Sequence, residues 1–182
     1  MYEDVIIAGF GGQGIMLMGQ LLAYAGLKEA MNVLWMPAYG PETRGGFANC
    51  TVIFSNEEIG SPVVSHPHSM IIMNLPSMDK FEHNLIQGGL LVYNSSLIER
   101  EPHRKDVKTI KIPAVEIAHE LGNAKAANMV ALGAYLGATG VVKPESVRQS
   151  LEKVFPGKEQ VVALNVKALE KGIELSKKTV KI

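Results

Sequence analysis

The stretch Val5-Ile-Ile-Ala-Gly-Phe-Gly-Gly-Gln-Gly14 is the part of the sequence that decides the predicted fold. Its first four residues form a short apolar run that ends in glycine, which is typical of a strand buried on both faces. After Gly14, apolar residues recur at helical spacing up to Gly26. Strand, glycine loop and helix in this order form the first half of a β–α–β unit, which predicts an α/β fold.

The rest of the chain continues this alternation. Apolar or β-branched runs predict further strands at 33–36, 47–54, 70–73, 90–93 and 107–112. Helical patterns cover 77–87, 114–121, 125–138, a segment from Pro144 onward, and 159–177. We therefore expect a three-layer α/β/α sandwich, Rossmann-like, with a mostly parallel sheet. The sequence shows no repeat and no linker, so residues 1–182 are predicted to form a single domain.

Two local features refine this prediction. Pro37 is expected to end the second strand, which leaves 37–46 as an ordered loop. The segment 59–64 is expected to return along the strand at 47–54 as a short hairpin arm. Because a hairpin pairs its strands in antiparallel fashion, the sheet is predicted to be mixed.

The composition argues against several classes of protein. Eighteen basic residues balance eighteen acidic ones, which argues against a nucleic-acid or membrane-surface protein. The single cysteine excludes a disulfide within the chain, fits a cytoplasmic protein, and cannot supply the roughly four thiolates of an iron–sulfur cluster. The start of the chain lacks the basic region of a signal peptide, and the longest apolar stretch, 126–142, is interrupted by glycines. We expect a buried core helix there, in which Gly133 and Gly137 allow close helix packing, and no membrane span.

The glycine loop is the first candidate site. Gly9, Gly11 and Gly14 match the dinucleotide-binding spacing, and Gly12 and Gln13 lie between them. Such a loop lets a phosphate approach the backbone at a helix N-terminus, although the same glycines can serve only a tight turn and close packing. Nicotinamide-binding domains usually carry an acidic residue at the end of the second strand, and the residues at 34–37 include none.

A second unusual loop follows the second strand. In an open α/β sheet it would lie at the carboxyl edge, beside the glycine loop. Arg44 offers a charge suited to a carboxylate or phosphate, while pairing between Glu42 and Arg44, or docking of a neighbouring subunit, is the alternative. The candidate residues of this loop are Tyr39, Gly40, Pro41, Glu42, Thr43, Arg44, Gly45 and Gly46.

Isolated polar residues in apolar surroundings complete the candidates. Asn74 follows a predicted buried strand and Asn128 lies in an apolar helix, so each needs a partner from backbone, water or ligand. Cys50 lies on an apolar strand and is predicted to act as a small buried hydrophobe. His66 and His68 are predicted to be turn or surface residues, and no metal site and no catalytic residue are predicted in this chain.

Taken in order, several motifs resemble one family. They are Gly9-Phe-Gly-Gly-Gln-Gly14, Tyr39-Gly-Pro-Glu-Thr-Arg-Gly-Gly46 with Ala48-Asn-Cys50, Ile59-Gly-Ser-Pro62, Ala118-His-Glu-Leu-Gly-Asn123 and Asn128-Met-Val-Ala-Leu-Gly133. The chain resembles, over nearly its whole length, the gamma subunit of 2-oxoacid:ferredoxin oxidoreductases and the equivalent domain of single-chain pyruvate enzymes. The family often has an aspartate just before the strand at 70–73, where this chain has His68-Ser69.

The resemblance implies a subunit that is inactive alone. The assembled enzyme would oxidatively decarboxylate a 2-oxoacid to an acyl-CoA and reduce ferredoxin, with thiamine diphosphate, Mg²⁺, iron–sulfur clusters and coenzyme A in the complex. Alpha, beta and ferredoxin-like delta subunits are the implied partners, and the gamma chain is implied to complete the assembly and to help shape the coenzyme A side of the site. The second loop favours 2-oxoglutarate as substrate over pyruvate, with branched-chain 2-oxoacids as the close alternative. A stand-alone Rossmann-type nucleotide-binding protein is the competing hypothesis.

Overall fold

A computed structural model describes residues 1–40 and 46–179. Six strands form one sheet in the order β2-β3-β1-β4-β5-β6. Pairing is parallel between β1 and β4, β4 and β5, and β5 and β6, whereas β3 is antiparallel to both of its neighbours, β1 and β2. The prediction of a mostly parallel, mixed sheet is confirmed. The strands are Tyr2–Phe10 (β1), Asn32–Tyr39 (β2), Phe47–Ser55 (β3), Ser69–Ile72 (β4), Leu90–Asn94 (β5) and Lys108–Ile112 (β6).

Helices cover both faces of this sheet. They are Ile15–Lys28 (α1), Leu75–Phe81 (α2), Ala114–Glu120 (α3), Ala127–Thr139 (α4), Pro144–Val154 (α5) and Glu159–Thr179 (α6), with 3-10 turns at Glu82–Asn84 and Ala124–Ala126. In the described ranges, no helix combines the length and the apolar character needed to cross a membrane.

The alternation of side chains along β1 divides the core in two. Val5 and Ile7 face the larger core, which α1, α3, α4 and α6 help to build. Ile6 and Ala8 face a smaller core closed by α2 and the residues that follow it. Since both faces are apolar, β1 reads as a continuous hydrophobic run, as expected for a central strand of a covered sheet.

Two predictions about the antiparallel part of the sheet were wrong. Strand β2 does not stop at Pro37 but continues to Tyr39, with Pro37 opposite Cys50 on β3. Proline is tolerated because β2 is an edge strand. The segment 59–64 forms no strand, because β1 and β2 already occupy both edges of β3. The sheet is mixed because β3 pairs in antiparallel fashion with β2, its hairpin partner, and with β1.

The helix predicted at 77–87 starts earlier and ends earlier. Asn74 is its N-cap, with the side-chain Oδ1 accepting a hydrogen bond from the Ser77 N–H at 2.9 Å. Helix α2 therefore begins at Leu75 and gives way to a 3-10 turn after Phe81. Asn74 thus has a structural partner that the sequence alone did not identify.

The strand entrance with the unusual His68-Ser69 pair is held by carboxylates from β1. Asp4 accepts a hydrogen bond from the His68 backbone N–H at 2.7 Å and lies 3.0 Å from the His68 Nδ1 atom. Ser69 Oγ donates to Glu3 Oε1 at 2.6 Å. Burial raises the pKa of the Glu3 carboxyl, an effect only partly offset by the bond from Ser69. His68 therefore ties β4 to β1.

Glycines allow α4 and α6 to touch along their backbones. A Cβ atom on Gly133 would collide with the Leu169 carbonyl oxygen, and one on Gly172 would collide with the Val130 carbonyl oxygen. A Cβ atom on Gly137 would collide with the Ser176 hydroxyl and lie 3.0 Å from the Ile173 carbonyl oxygen. The predicted role of Gly133 and Gly137 in close helix packing is confirmed. This contact seats α4, which is buried along nearly its whole length, against the sheet.

We expect Gly133→Ala to destabilise the protein by about 2 kcal/mol or more, because the new methyl group meets immovable backbone and outweighs the gain in helix propensity. Urea unfolding of the isolated chain measures this. Gly60→Ala is the matched control, since a Cβ there meets open space, and it should change the free energy of unfolding by less than about 0.5 kcal/mol. Equal stability of the two variants would contradict the packing described.

A buried carboxylate organises the loop between β5 and β6. Glu82, whose side chain is 6% exposed, accepts hydrogen bonds at 2.9 Å from the Arg104 backbone N–H and from Arg100 Nη2. Burial acts to raise the pKa of the Glu82 carboxyl, but the Arg104 N–H and the Arg100 guanidinium outweigh it, and the pKa is lowered.

A lowered pKa in the folded state means that this carboxylate stabilises the fold above its unfolded-state pKa, and that the stabilisation is lost as pH falls through the folded-state value. We expect Glu82→Gln to flatten the decline of stability on acidification between neutral pH and about pH 3. Thermal unfolding measured between neutral pH and about pH 3 tests this pH dependence. Glu99→Gln, at an exposed position, is the control. An unchanged pH dependence in Glu82→Gln would show that the network does not contribute.

Candidate site at the carboxyl edge of the sheet

The glycine-rich loop joins β1 to α1 in a left-handed backbone. Gly12 has φ 98° and Gly14 has φ 75°, values that favour glycine. A Cβ on Gly12 would meet open space, so this position faces solvent, whereas one on Gly14 would collide with the Asn128 amide. No side chain caps the N-terminus of α1, and its first turn carries no acidic residue. The N–H groups at this helix end therefore have no side-chain acceptor, and the helix dipole there favours an anion.

Gln13 uses its side-chain amide within the protein. Its Oε1 atom accepts hydrogen bonds from the Phe10 N–H at 2.7 Å and from Asn74 Nδ2 at 3.0 Å. Its Nε2 atom donates to the Met73 carbonyl oxygen at 3.4 Å. These contacts fix the loop to the end of β4, so both ends of the Gln13 amide have partners on the protein.

Asn128 joins the glycine loop to α4. It is 4% exposed, its Nδ2 atom lies 3.5 Å from the Gly14 carbonyl oxygen, and its Oδ1 atom accepts from the Met129 N–H at 2.9 Å. Asn128 lies in the first turn of α4, which begins after the 3-10 turn at Ala124–Ala126 and has no side-chain cap. The N-termini of α1 and α4 therefore flank the same place, and in α4 the Ala127 N–H bonds to the Ala124 carbonyl oxygen and the Met129 N–H to Asn128.

A cleft of about 230 Å³ opens between these elements. It suits a phosphate-sized part of a ligand better than a whole cofactor, because sites for drug-sized molecules usually take roughly 300–1,000 Å³. Lys125 contributes a positive charge at its rim. The lining residues are Gly12, Gln13, Met73, Asn94, Val115, Ala124, Lys125, Ala127 and Asn128.

The structure joins the ends of the second loop to the first. The Gly11 N–H donates to the Gly46 carbonyl oxygen at 3.0 Å, and the Gly40 N–H donates to that of Phe47 at 2.8 Å. Tyr39 is 73% exposed. Pro41, Glu42, Thr43, Arg44 and Gly45 lie outside the described residues, so their roles stay predictions. The predicted proximity of the two loops at the carboxyl edge is confirmed at Gly11 and Gly46.

Gly9 serves packing rather than ligand access. A Cβ there would lie 2.5 Å from Gln13 Oε1 and 3.0 Å from Met73 Cβ. Cys50 is also a packing residue, since it is buried and burial raises the pKa of its thiol to about 12 despite nearby hydrogen-bond donors. A thiol of this kind is a poor nucleophile at neutral pH.

The sequence did not indicate two polar residues of the cleft, Asn94 and Lys125, as site residues. Asn94 ends β5 and is fully buried, and Lys125 lies in the 3-10 turn before α4. Asn94 could have been recognised as a site residue because, like Asn74, it is a polar residue directly after an apolar strand. Lys125 carried no local signal, because only the tertiary fold brings it to the glycine loop.

A larger groove of about 510 Å³ lies elsewhere, between α5 and α6. Its lining includes Phe155, Val162 and Val166 together with Arg148, which pairs with Glu145 and Glu152. It lies away from both glycine loops. We therefore place the candidate site at the carboxyl edge.

The described residues contain no group of three or more His, Cys, Asp or Glu side chains arranged to hold a metal ion. Iron–sulfur ligation also does not fit this chain, which has one cysteine. The cleft fits phosphate groups instead, because it offers exposed glycine backbone, two helix N-termini and a lysine.

The chain is similar in sequence to proteins of one known family. The family model for pyruvate ferredoxin/flavodoxin oxidoreductase matches residues 4–175. Ketoisovalerate oxidoreductase subunit VorA of Methanothermobacter thermautotrophicus is 41% identical over 178 residues, 97% of this chain but 37% of that one. The present chain therefore spans little more than a third of that relative. The 2-oxoglutarate synthase subunit KorC of Methanocaldococcus jannaschii is 33% identical over 181 residues, covering 97% of this chain and 95% of that one.

Solved structures agree with the sequence relatives. The gamma subunit of a keto/oxoacid ferredoxin oxidoreductase from Geobacter sulfurreducens superposes with a TM-score of 0.83 at 29% identity, over 97% of this chain and 99% of that one. A chain of the 2-oxoglutarate:ferredoxin oxidoreductase from Magnetococcus marinus, solved with 2-oxoglutarate, coenzyme A and succinyl-CoA bound, gives a TM-score of 0.91 at 26% identity, over 100% of this chain and 32% of that one. The protein therefore belongs to the pyruvate ferredoxin/flavodoxin oxidoreductase family, in which it corresponds to the gamma subunit.

Proposed function

We propose that this chain is the gamma component of a 2-oxoacid:ferredoxin oxidoreductase complex that converts a 2-oxoacid and coenzyme A to an acyl-CoA. The observation that carries the proposal is the end-to-end correspondence with chains of similar length, KorC and the Geobacter gamma subunit. A cytoplasmic location is part of the proposal and is supported by the single buried cysteine.

The chemistry of this chain supports a division of labour. Its one cysteine and its described side chains offer no ligand set for an iron–sulfur cluster or for the Mg²⁺ that would accompany thiamine diphosphate. We assign those groups to alpha, beta and ferredoxin-like delta chains, with electrons leaving to ferredoxin. The gamma chain would then supply binding and positioning.

We further propose that the carboxyl-edge cleft receives phosphate groups of coenzyme A. Gly12 leaves the backbone accessible, the N-termini of α1 and α4 flank the opening, and Lys125 adds a charge. Each of these features favours an anion. Arg44, in the adjoining loop, is the candidate for a further contact with a phosphate.

The substrate is proposed from the relatives. The second loop favours 2-oxoglutarate, whereas identity is higher to the ketoisovalerate chain, at 41%, than to the 2-oxoglutarate chain, at 33%. We propose a branched-chain 2-oxoacid such as ketoisovalerate as the first substrate to test, with 2-oxoglutarate as the alternative. Initial rates of the purified complex with both acids would decide between them.

The stand-alone nucleotide-binding hypothesis has one feature in its favour, the glycine loop between β1 and α1. The topology argues against it. Antiparallel β3 lies between β1 and β2, so the end of β2 is displaced from the position where a Rossmann domain holds the ribose. Saturable heat on titration of the isolated chain with NAD(P) or FAD would revive this hypothesis.

We expect the isolated chain to show no oxidoreductase activity, because it lacks ligands for the redox centres. Affinity purification from the native cells should recover alpha, beta and ferredoxin-like chains, and mass spectrometry with the brown absorbance of iron–sulfur clusters would detect them. Turnover of a 2-oxoacid with an electron acceptor by the pure single chain would overturn the proposal.

We expect Lys125→Ala to raise the coenzyme A KM of the assembled complex about three- to tenfold, the effect of removing one charge-assisted contact. Steady-state kinetics with varied coenzyme A measures this. Lys158→Ala, on the surface beside the distant groove, is the control and should leave KM unchanged. Arg44→Ala should act like Lys125→Ala if Arg44 binds coenzyme A, and should instead impair assembly if its loop only docks a partner.

A further inference from the structure

One backbone carbonyl at the carboxyl edge accepts two side-chain amides. The Met73 oxygen receives Gln13 Nε2 at 3.4 Å and Asn94 Nδ2 at 3.3 Å. A carbonyl oxygen has two lone pairs, so both bonds can form together. Met73 directly follows β4 and its N–H donates to the Ala8 carbonyl oxygen of β1 at 2.9 Å. The shared oxygen therefore lies where the central strands end.

The other end of the Asn94 amide is fixed as well. Its Oδ1 atom accepts from the Ala114 N–H at 3.1 Å and from the Ser96 N–H at 3.3 Å. Asn94 is 0% exposed, so it acts on the cleft through its neighbours. With Oδ1 held by two backbone donors, the Nδ2 group is turned toward Met73.

The Gln13 amide, which donates to the same Met73 oxygen as Asn94, is oriented by that bond in turn. Because Nε2 is directed to the Met73 oxygen, Oε1 is directed to the Phe10 N–H and to Asn74 Nδ2. Phe10 is the last residue of β1, so this bond sets how the chain leaves the strand for the glycine loop. Four hydrogen bonds thus link the start of α3 to the glycine loop through Asn94, Met73 and Gln13, and a fifth joins Gln13 to Asn74.

We propose that Asn94 is a positioning residue of the cleft, which orients the Met73 carbonyl, through it the Gln13 amide, and so the glycine-rich loop. Its effect on coenzyme A rests on the function proposed above. Its effect on the loop does not, and the two can be measured separately.

Asn94→Asp is the sharpest test. The carboxylate keeps the acceptor for Ala114 and Ser96 but replaces the donor to the Met73 oxygen by a repelling oxygen. Asn165→Asp is the matched control: Asn165 on α6 is also buried and donates Nδ2 to a backbone carbonyl, that of Val161, at 2.8 Å, but it does not line the cleft. Asn94→Ala and Asn165→Ala form a second, uncharged pair in case the buried charge prevents folding.

Two readouts apply to each variant. Amide hydrogen exchange of the full chain reports on the Phe10 N–H, and coenzyme A kinetics of the assembled complex report on KM and kcat. We expect both Asn94 variants to speed exchange at Phe10 about tenfold and to raise KM about fivefold, with a smaller change in kcat, as for loss of one neutral hydrogen bond. The Asn165 variants should change neither.

Unchanged exchange at Phe10 in a folded Asn94 variant would overturn the positioning role. An equal change of exchange and KM in the Asn165 variants would also overturn it, because the effect would then be general destabilisation. Faster exchange at Phe10 with an unchanged KM would support the positioning role and contradict the assignment of coenzyme A to the cleft.

Discussion

The backbone contact between α4 and α6 is the constraint on which the site depends. Gly133 and Gly172 let the two helices meet without intervening side chains, and this contact holds α4 against the sheet. The N-terminus of α4 then lies against the glycine loop, where Asn128 fills the space beside Gly14. A wider separation of the helices would move one wall of the cleft away from the other. Gly133 lies five residues beyond Asn128, so packing about 7–8 Å along the helix from the loop controls the shape of the site, given 1.5 Å of rise per residue.

The carboxyl edge separates polar groups that hold the fold from groups that remain free for a ligand or partner. The side-chain amides of Gln13, Asn74 and Asn94 form hydrogen bonds with one another and with the backbone. Gly12 and Lys125, in contrast, face the opening. The amides that shape the site are therefore already hydrogen-bonded within the protein, and such preorganisation reduces the entropy that binding must overcome.

The sequence predicted the parts of the fold that rest on local patterns. The β1–loop–α1 unit, the close contact at Gly133 and the proximity of the two loops follow from apolar periodicity, glycine spacing and strand direction. The insertion of β3 between β1 and β2 could not be predicted, because antiparallel and parallel neighbours impose the same apolar pattern on a buried strand. The course of β2 through Pro37 depends on its place at the edge. Asn94 and Lys125 join the site only through contacts distant in sequence.

A structure of the assembled complex with coenzyme A bound would show directly what occupies the cleft. We expect the coenzyme A phosphates in the cleft between the N-termini of α1 and α4, with Lys125 and the Gly12 backbone in contact and the Gln13 amide still bonded to the Met73 carbonyl. Coenzyme A held entirely by other chains, with the cleft filled by a partner's side chains, would contradict this expectation and would make the glycine loops a docking surface alone.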